Sequence, residues 1–349
     1  MFCEVEASCD FQGVSFSEVE AGQNGGAVVC YDGATCDFQD VTLSECNATT
    51  GGAVYCEGVP ESEVGASCDF QDVSFSQCSA GSEGGAVYCH NGATCGFQDV
   101  SFSKCEAPQG GAVECDGTSS SRTICDFQDA SFSGCFAGDA GGALFLLGQS
   151  QATIKDSNFV NCIAEYQGGA ISQRDSSTSN ITRTRFVSSA VKNGDGGSIY
   201  SQNSDLSLDS CEFMHTVAPR GSSSVLGNGG AIYSEGQGLL VMRDSKVTNA
   251  TAEGDGAAIY RVSHAAADDS LELAGCSFVD CSAPQGSGAG CSPLARSSQL
   301  WATRRFERAA RGALAGRLPY RVPQRQPTRP FCSLASPIAL PTRGAARWL

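Results

Sequence analysis

Apolar residues fall at every second position in short runs, and the runs repeat along the chain. In "CDFQDVSFSQC", residues 68–78, Cys68 and Phe70 alternate with Asp69 and Gln71, and Val73 and Phe75 alternate with Ser74 and Ser76. A period of two predicts short strands with one buried face. Asp72 breaks the phase between the two runs, which predicts a bend. Near-copies begin at Cys9, Cys36, Cys95 and Cys125. A third short strand is predicted from each Gly-Gly-Ala-Val onward, as at Gly84-Gly85-Ala86-Val87. Its glycines suit either φ > 0 or a close backbone approach at a corner. No run has the length or period of a helix.

The Gly-Gly-Ala signature recurs from Gly25, Gly51, Gly84, Gly110, Gly141 and Gly168, as Gly196-Gly197-Ser198, from Gly229, and as Gly256-Ala257-Ala258, spaced 26 to 33 residues apart. Between copies an apolar anchor returns: Phe16, Leu43, Phe75, Phe102, Phe132, Phe159, Phe186, Phe213, Val247 and Phe278. These mark ten units, the first five nearly identical. A string of separate disulfide domains is the alternative, but a unit with one or two Phe holds too little core to fold alone. Stacked units share a continuous core. The expectation is an all-β fold: a right-handed parallel β-helix of about ten rungs with three short strands per rung. At about 4.8 Å per rung it would be about 48 Å long, with equivalent residues stacked in ladders.

The alternation of "GGA[ILV]" with an "FxxN"-like element resembles the repeats of chlamydial polymorphic outer-membrane proteins, which are surface adhesins of the autotransporter type. It is also similar to pectin-lyase-like repeats of large surface proteins. The resemblance covers residues 1–291. Its second half departs from the pattern, since "FSQC", "FSKC" and "FVNC" put Cys at or near the usual Asn. Residues 292–349 lack the ten-residue alternating segments of a membrane barrel. The resemblance implies a surface adhesion or stalk role.

Charge divides the chain at the same place. Residues 1–291 carry 11 Lys+Arg against 37 Asp+Glu, a net of -26; residues 292–349 carry 11 Arg and one acid, a net of +10. Two regions are therefore expected: a repeat domain, 1–291, and an Arg-rich tail, 292–349. An acidic body repels nucleic acid and anionic lipid, so neither is an expected partner. No apolar run is long enough for a membrane helix. Around Leu300 to Leu318 the tail has the pattern of a basic amphipathic helix. Disorder, and out-of-frame or intron-derived sequence, are the other readings of this tail. Met1-Phe2-Cys3 aligns with Val87-Tyr88-Cys89, so the chain starts within a strand and without a signal peptide. The expectation is a truncated N-terminus.

Cysteines flank the variable turn after the third strand: Cys3 and Cys9, Cys30 and Cys36, Cys56 and Cys68, Cys89 and Cys95, Cys115 and Cys125. In the next unit Leu146 and Ala152 replace both members together. Joint loss is what a bond within each turn predicts, each stabilising by less than about 3 kcal/mol in the chain-entropy model. Cys46, Cys78, Cys105, Cys135, Cys162 and Cys281 occupy another repeat position. They are read either as small buried residues or as partners between rungs. Zinc is not expected, because no Cys-x2-Cys exists and His90, His215 and His264 share no repeat position. A disulfide framework implies an oxidising, extracellular or cell-surface setting. Sequons at Asn47, Asn180 and Asn249 agree with glycosylation there.

Catalysis on such a fold needs clustered carboxylates with a basic neighbour. Here the carboxylates form ladders: Asp10, Asp37, Asp69 and Asp126 in one, Asp40, Asp72, Asp99 and Asp129 in another. Identical residues on successive rungs suit structure. No catalytic, cofactor-binding or metal-ligating residue is assigned, and no cofactor is expected. Stacked Asp residues read as a solvated acidic face, with weak Ca²⁺ binding between rungs as the sharper reading. The expected function is a non-catalytic adhesion or stalk scaffold whose surface protein or glycan ligand is unnamed. The alternative is a carbohydrate-active β-helix enzyme, marked by one rung with a unique polar cluster facing a groove.

Overall fold

Each unit winds once around a common axis, and its strands pair in parallel with those of the units on either side. The computed structural model describes residues 1–4, 7–58, 65–221, 226–262 and 271–288, and the backbone of 291–294 and 301–303. One turn comprises Val54–Glu57, Ser67–Gln71, Ser74–Ser76 and Ser79–Glu83, and the next begins at Val87–His90. The four kinds of strand build sheets 1 to 4, with eleven, eleven, ten and eight strands. The result is a parallel β-helix of about ten turns, with no helix among the described residues. Past the charge break at Cys291, Cys291–Leu294 and Trp301–Thr303 continue sheets 1 and 2.

The expected three strands per turn become four. Sheet 4 escapes a reading by period because its strands, such as "SAGSE" and "EAPQ", point only small residues inward. Ala137, Ala164, Val191 and Ala218 make that narrow buried strip. The register between Ser79–Glu83 and Glu106–Gln109 also shifts, so no regular alternation survives.

Corners follow from backbone sterics. Asp40, Asp72, Asp99, Asp129 and Asp156 have φ between 51° and 55° where sheet 2 turns into sheet 3. Asp tolerates this left-handed region better than most residues. One of the two Asp ladders is thereby a set of corners. The first Gly of each Gly-Gly pair is left-handed as well, Gly84 at φ 58°. The second is there for space: a Cβ on Gly85 would collide with the carbonyl oxygen of Gly111 in the next turn.

Two columns of Phe fill the centre. Phe38, Phe70, Phe97 and Phe127 stack at centroid spacings of 4.7, 5.0 and 4.5 Å. Phe75, Phe102, Phe132, Phe159, Phe186 and Phe213 stack at 4.5–4.9 Å. The columns meet edge to face, as Phe97 meets Phe102 at 5.7 Å. The anchor ladder read from the sequence is in register from Phe16 to Phe278.

Candidate functional site

Three arrangements carry chemistry: a trough on sheet 2, a polar cluster on sheet 1, and the sulfur columns inside. The trough has a volume of about 610 Å³ and spans five turns. Asp37, Asp69 and Asp126 line it in one row, and Gln39, Gln71, Gln98 and Gln128 in the next. Gly96 interrupts the Asp row, and the Asp69 carboxylate leans over the gap. Burial, then the charges of Asp69 and Asp10, raise the Asp37 carboxyl above its ordinary value. The carboxylates stay spread along the axis. Among the described residues, the groups of three ligating atoms lying within 4.8 Å of one another are all cysteine sulfurs, some of them in disulfides. The Asp40 series is exposed at its corners and does not reach the trough.

The cluster on sheet 1 is not repeated. Outward-facing side chains there form a column that runs Val29, Tyr55, Tyr88, Glu114, Phe145, Ser172, Tyr200, Tyr233, Tyr260. Asp116 accepts from Tyr88 at 3.2 Å and lies 3.1 Å from His90 Nδ1. Burial pulls the His90 imidazole down, but Asp116 outweighs it and His90 sits above its ordinary pKa. Glu114 is 1% exposed, and its Oε2 has no partner. Burial, with Glu83 and Asp116 nearby, pushes its carboxyl well above the usual range. Two turns on, Arg174 lies 5.3 Å from the Phe145 ring centre and 5.8 Å from that of Tyr200. Sequence reasoning missed this cluster because Glu114, in "GGAVEC", occupies an ordinary outward strand position. A carboxylate where neighbouring turns carry Tyr and Phe was the available signal.

The raised Glu114 pKa sets a direction for stability. The folded state holds this proton more tightly than the unfolded chain, so its contribution is present at low pH and is lost as pH rises through the folded pKa. Glu114→Gln keeps the shape and removes the ionisation. Between pH 5 and pH 8 the wild type should lose stability relative to the variant. Urea melts at the two pH values measure this, and parallel losses would place the Glu114 carboxyl in contact with water.

All ten turn cysteines point inward at the corner between sheets 1 and 2. Bonds join Cys3 to Cys9, Cys89 to Cys95 and Cys115 to Cys125, with Cα atoms 6.4–6.6 Å apart. Cys30, Cys36, Cys56 and Cys68 are unbonded, unlike the expected pairs Cys30–Cys36 and Cys56–Cys68. In these two turns sulfurs reach toward the neighbouring turn: Cys30 Sγ donates to Ala34 O at 3.4 Å and to Ser67 O, one turn on, at 3.6 Å. In the seventh turn Gln173 and Ser179 stand in the same positions, and the Ser179 hydroxyl donates to Gln173 Oε1. A side-chain hydrogen bond thus spans the corner that sulfur closes elsewhere.

Cys46, Cys78, Cys105, Cys135, Cys162 and Cys281 are unbonded. Each thiol lies at the corner between sheets 3 and 4 and donates to the carbonyl two residues back, as Cys78 does to Ser76 O at 3.6 Å. Cys78 also reaches Leu43 O in the preceding turn at 3.5 Å. This column is a set of small buried donors. Of the sequon residues, Asn47 and Asn180 are exposed on strands, while Asn249 is half-buried at a corner with φ 54°.

The chain matches the right handed beta helix region family over residues 85–304. It belongs to that family. Its β-helix is accordingly right-handed. No curated protein matches the chain. Among solved structures, it is similar to a mannuronic acid specific polysaccharide family 6 lyase enzyme from human gut microbiota. The identity is 13% and the TM-score 0.34, over 83% of this chain and 73% of that one. No helix among the described residues is long and apolar enough to cross a membrane.

Proposed function

We propose that this β-helix is a non-catalytic scaffold of the polymorphic outer-membrane-protein repeat type, acting in adhesion or as a stalk at a cell surface or outside the cell. The observation that carries this reading is the trough on sheet 2. Its walls repeat Gln on four successive turns and Asp on three of them, with Gly96 in the Asp row and Thr153 and Lys155 at the end, whereas a catalytic centre needs a few differently tuned groups at one place. The turn disulfides favour an oxidising location, and exposed Asn47 and Asn180 suit glycans. The ligand class is a surface protein or glycan, with nucleic acid disfavoured by the acidic body.

A second reading, a carbohydrate-active enzyme, draws on the sheet 1 cluster. There Glu114, whose carboxyl burial holds well above the usual range, neighbours a His90–Asp116 pair, and differently tuned acidic and basic groups at one place are what acid–base chemistry needs. One experiment separates the two. The purified chain is offered immobilised cells and a panel of neutral and uronate polysaccharides, and both binding and release of new sugar ends are measured. The scaffold reading expects binding without turnover, unchanged in Asp116→Asn. Turnover that disappears in Asp116→Asn would overturn it.

A further inference from the structure

The ten turn cysteines form two facing columns, one atom wide, in the interior. Sheet 1 aligns Cys3, Cys30, Cys56, Cys89 and Cys115; sheet 2 aligns Cys9, Cys36, Cys68, Cys95 and Cys125. Strand spacing alone brings successive members to about 4.8 Å. The sulfurs make contacts that cross from turn to turn. Cys36 Sγ lies within 4.8 Å of both sulfurs of the Cys3–Cys9 bond. Cys30, Cys36 and Cys68 lie within 4.8 Å of one another, and Cys56 within 4.8 Å of both sulfurs of Cys89–Cys95. The Cys30 and Cys68 side chains also bear on the Cys56 thiol. Neighbouring sulfurs therefore run from Cys3 to Cys95, with disulfides at both ends and four thiols between.

Access makes this contact consequential. Nine of the ten are at most 1% exposed, and Cys9 alone is half-buried. No dissolved oxidant can reach Cys30, Cys36, Cys56 or Cys68 in the folded chain. Neighbouring sulfur can.

We propose that the column is a path for intramolecular thiol–disulfide exchange, through which a disulfide passes from turn to turn and so reaches thiols that solvent cannot. In the first step Cys36 Sγ attacks Cys9 Sγ. The Cys3–Cys9 bond breaks, Cys9–Cys36 forms, and Cys3 leaves with the proton given up by Cys36. In the second, Cys30 Sγ attacks Cys36 Sγ; Cys30–Cys36 forms and Cys9 leaves with the proton of Cys30. The disulfide has moved one turn with no net oxidation. A small disulfide such as oxidised glutathione then reoxidises the dithiol: Cys9 forms the mixed disulfide, Cys3 resolves it, and the oxidant departs as two thiols. Exchange requires a thiolate, and burial disfavours the charged form, so the transfer is slow. The inference stands apart from the scaffold reading and needs only the column.

An odd thiol placed in the column reports the exchange. Cys3→Ser strands Cys9, and Cys95→Ala strands Cys89. Both substitutions use residues that the fold already carries at those positions, Ser201 in the first column and Ala152 in the second. Each full-length variant is equilibrated in a glutathione buffer, quenched in acid, denatured, alkylated and mapped without reduction. In both variants Cys30, Cys36, Cys56 and Cys68 start as thiols. Exchange predicts that oxidised glutathione captured by Cys9 is passed inward, so that Cys3→Ser yields Cys9–Cys36 and Cys30–Cys36 links and Cys95→Ala yields a Cys56–Cys89 link. Glutathione held on Cys9 with Cys30 and Cys36 still thiols in the first variant, or Cys56 and Cys89 still thiols in the second, overturns the proposal. Thermal melts check that each variant is folded, and either variant alone suffices for the decision.

Discussion

Phe102→Ala should lower the unfolding free energy by about 3–5 kcal/mol, the range for emptying a well-packed aromatic site. Phe102 is 1% exposed and has neighbours on three sides. Phe75 stacks below it at 4.9 Å and Phe132 above it at 4.8 Å, with rings within 6° of parallel. Phe97 meets its edge at 5.7 Å. Its strand is paired residue for residue with the strands on both sides, so the walls resist closing on the cavity. A solenoid transmits stability only between neighbouring turns, and Phe102 sits inside the stretch of near-identical units. The loss should therefore appear as an earlier melt of this stretch in urea and thermal unfolding. A variant that melts with the parent would mean that the stacked rings are not the core.

The ladder was legible because burial and period coincide there. Phe75, Phe102 and Phe132 stand between two serines that face water, so one strand shows its inner and outer faces in three letters. The facing cysteines were legible for a different reason: pairs vanish together at Leu146 and Ala152. What a single turn's sequence cannot reveal is contact between turns. Cys30 meeting the Ser67 carbonyl is such a contact, and so is Gln173 reaching Ser201 Oγ at 2.8 Å. Sheet 4 was hidden because Ala and Gly carry no period. The bend at Asp72 was legible as a break in phase, and the φ of 54° at Asp72 and Asp99 places this Asp ladder at corners. Glu114 was hidden because whether a carboxylate is buried depends on neighbours far apart in the chain, here Tyr88 and Phe145, which flank it in the adjacent turns. Patterns within a turn are thus written in the sequence, while charge burial and sulfur contact arise only on stacking.

The Gly-Gly corner gives a prediction of opposite signs at two nearby glycines. Gly85→Ala should destabilise by about 3 kcal/mol or more, at or above the upper end for overpacked sites. The added methyl would run into the Gly111 carbonyl oxygen, and Glu106 N and O lie 2.8 Å from the same point. These are backbone atoms of the next turn, held by their own ladder, so no side chain can swing aside to make room. Gly85 N already donates to Gly110 O at 3.0 Å, which fixes the approach of the two turns. Gly81, four residues earlier in the strand Ser79–Glu83, is different. Its φ lies outside the left-handed region, it is exposed, and the nearest atom to an added Cβ is Thr49 Cα at 3.7 Å, an ordinary contact. Gly81→Ala should stabilise by about 0.4–1 kcal/mol, because Ala restricts the unfolded chain and strains nothing in the folded one. Paired urea melts of the two variants test the corner directly. If Gly85→Ala also proved neutral, the turns would be sliding apart to admit a methyl, and the close approach at Gly111 could not be what requires glycine there.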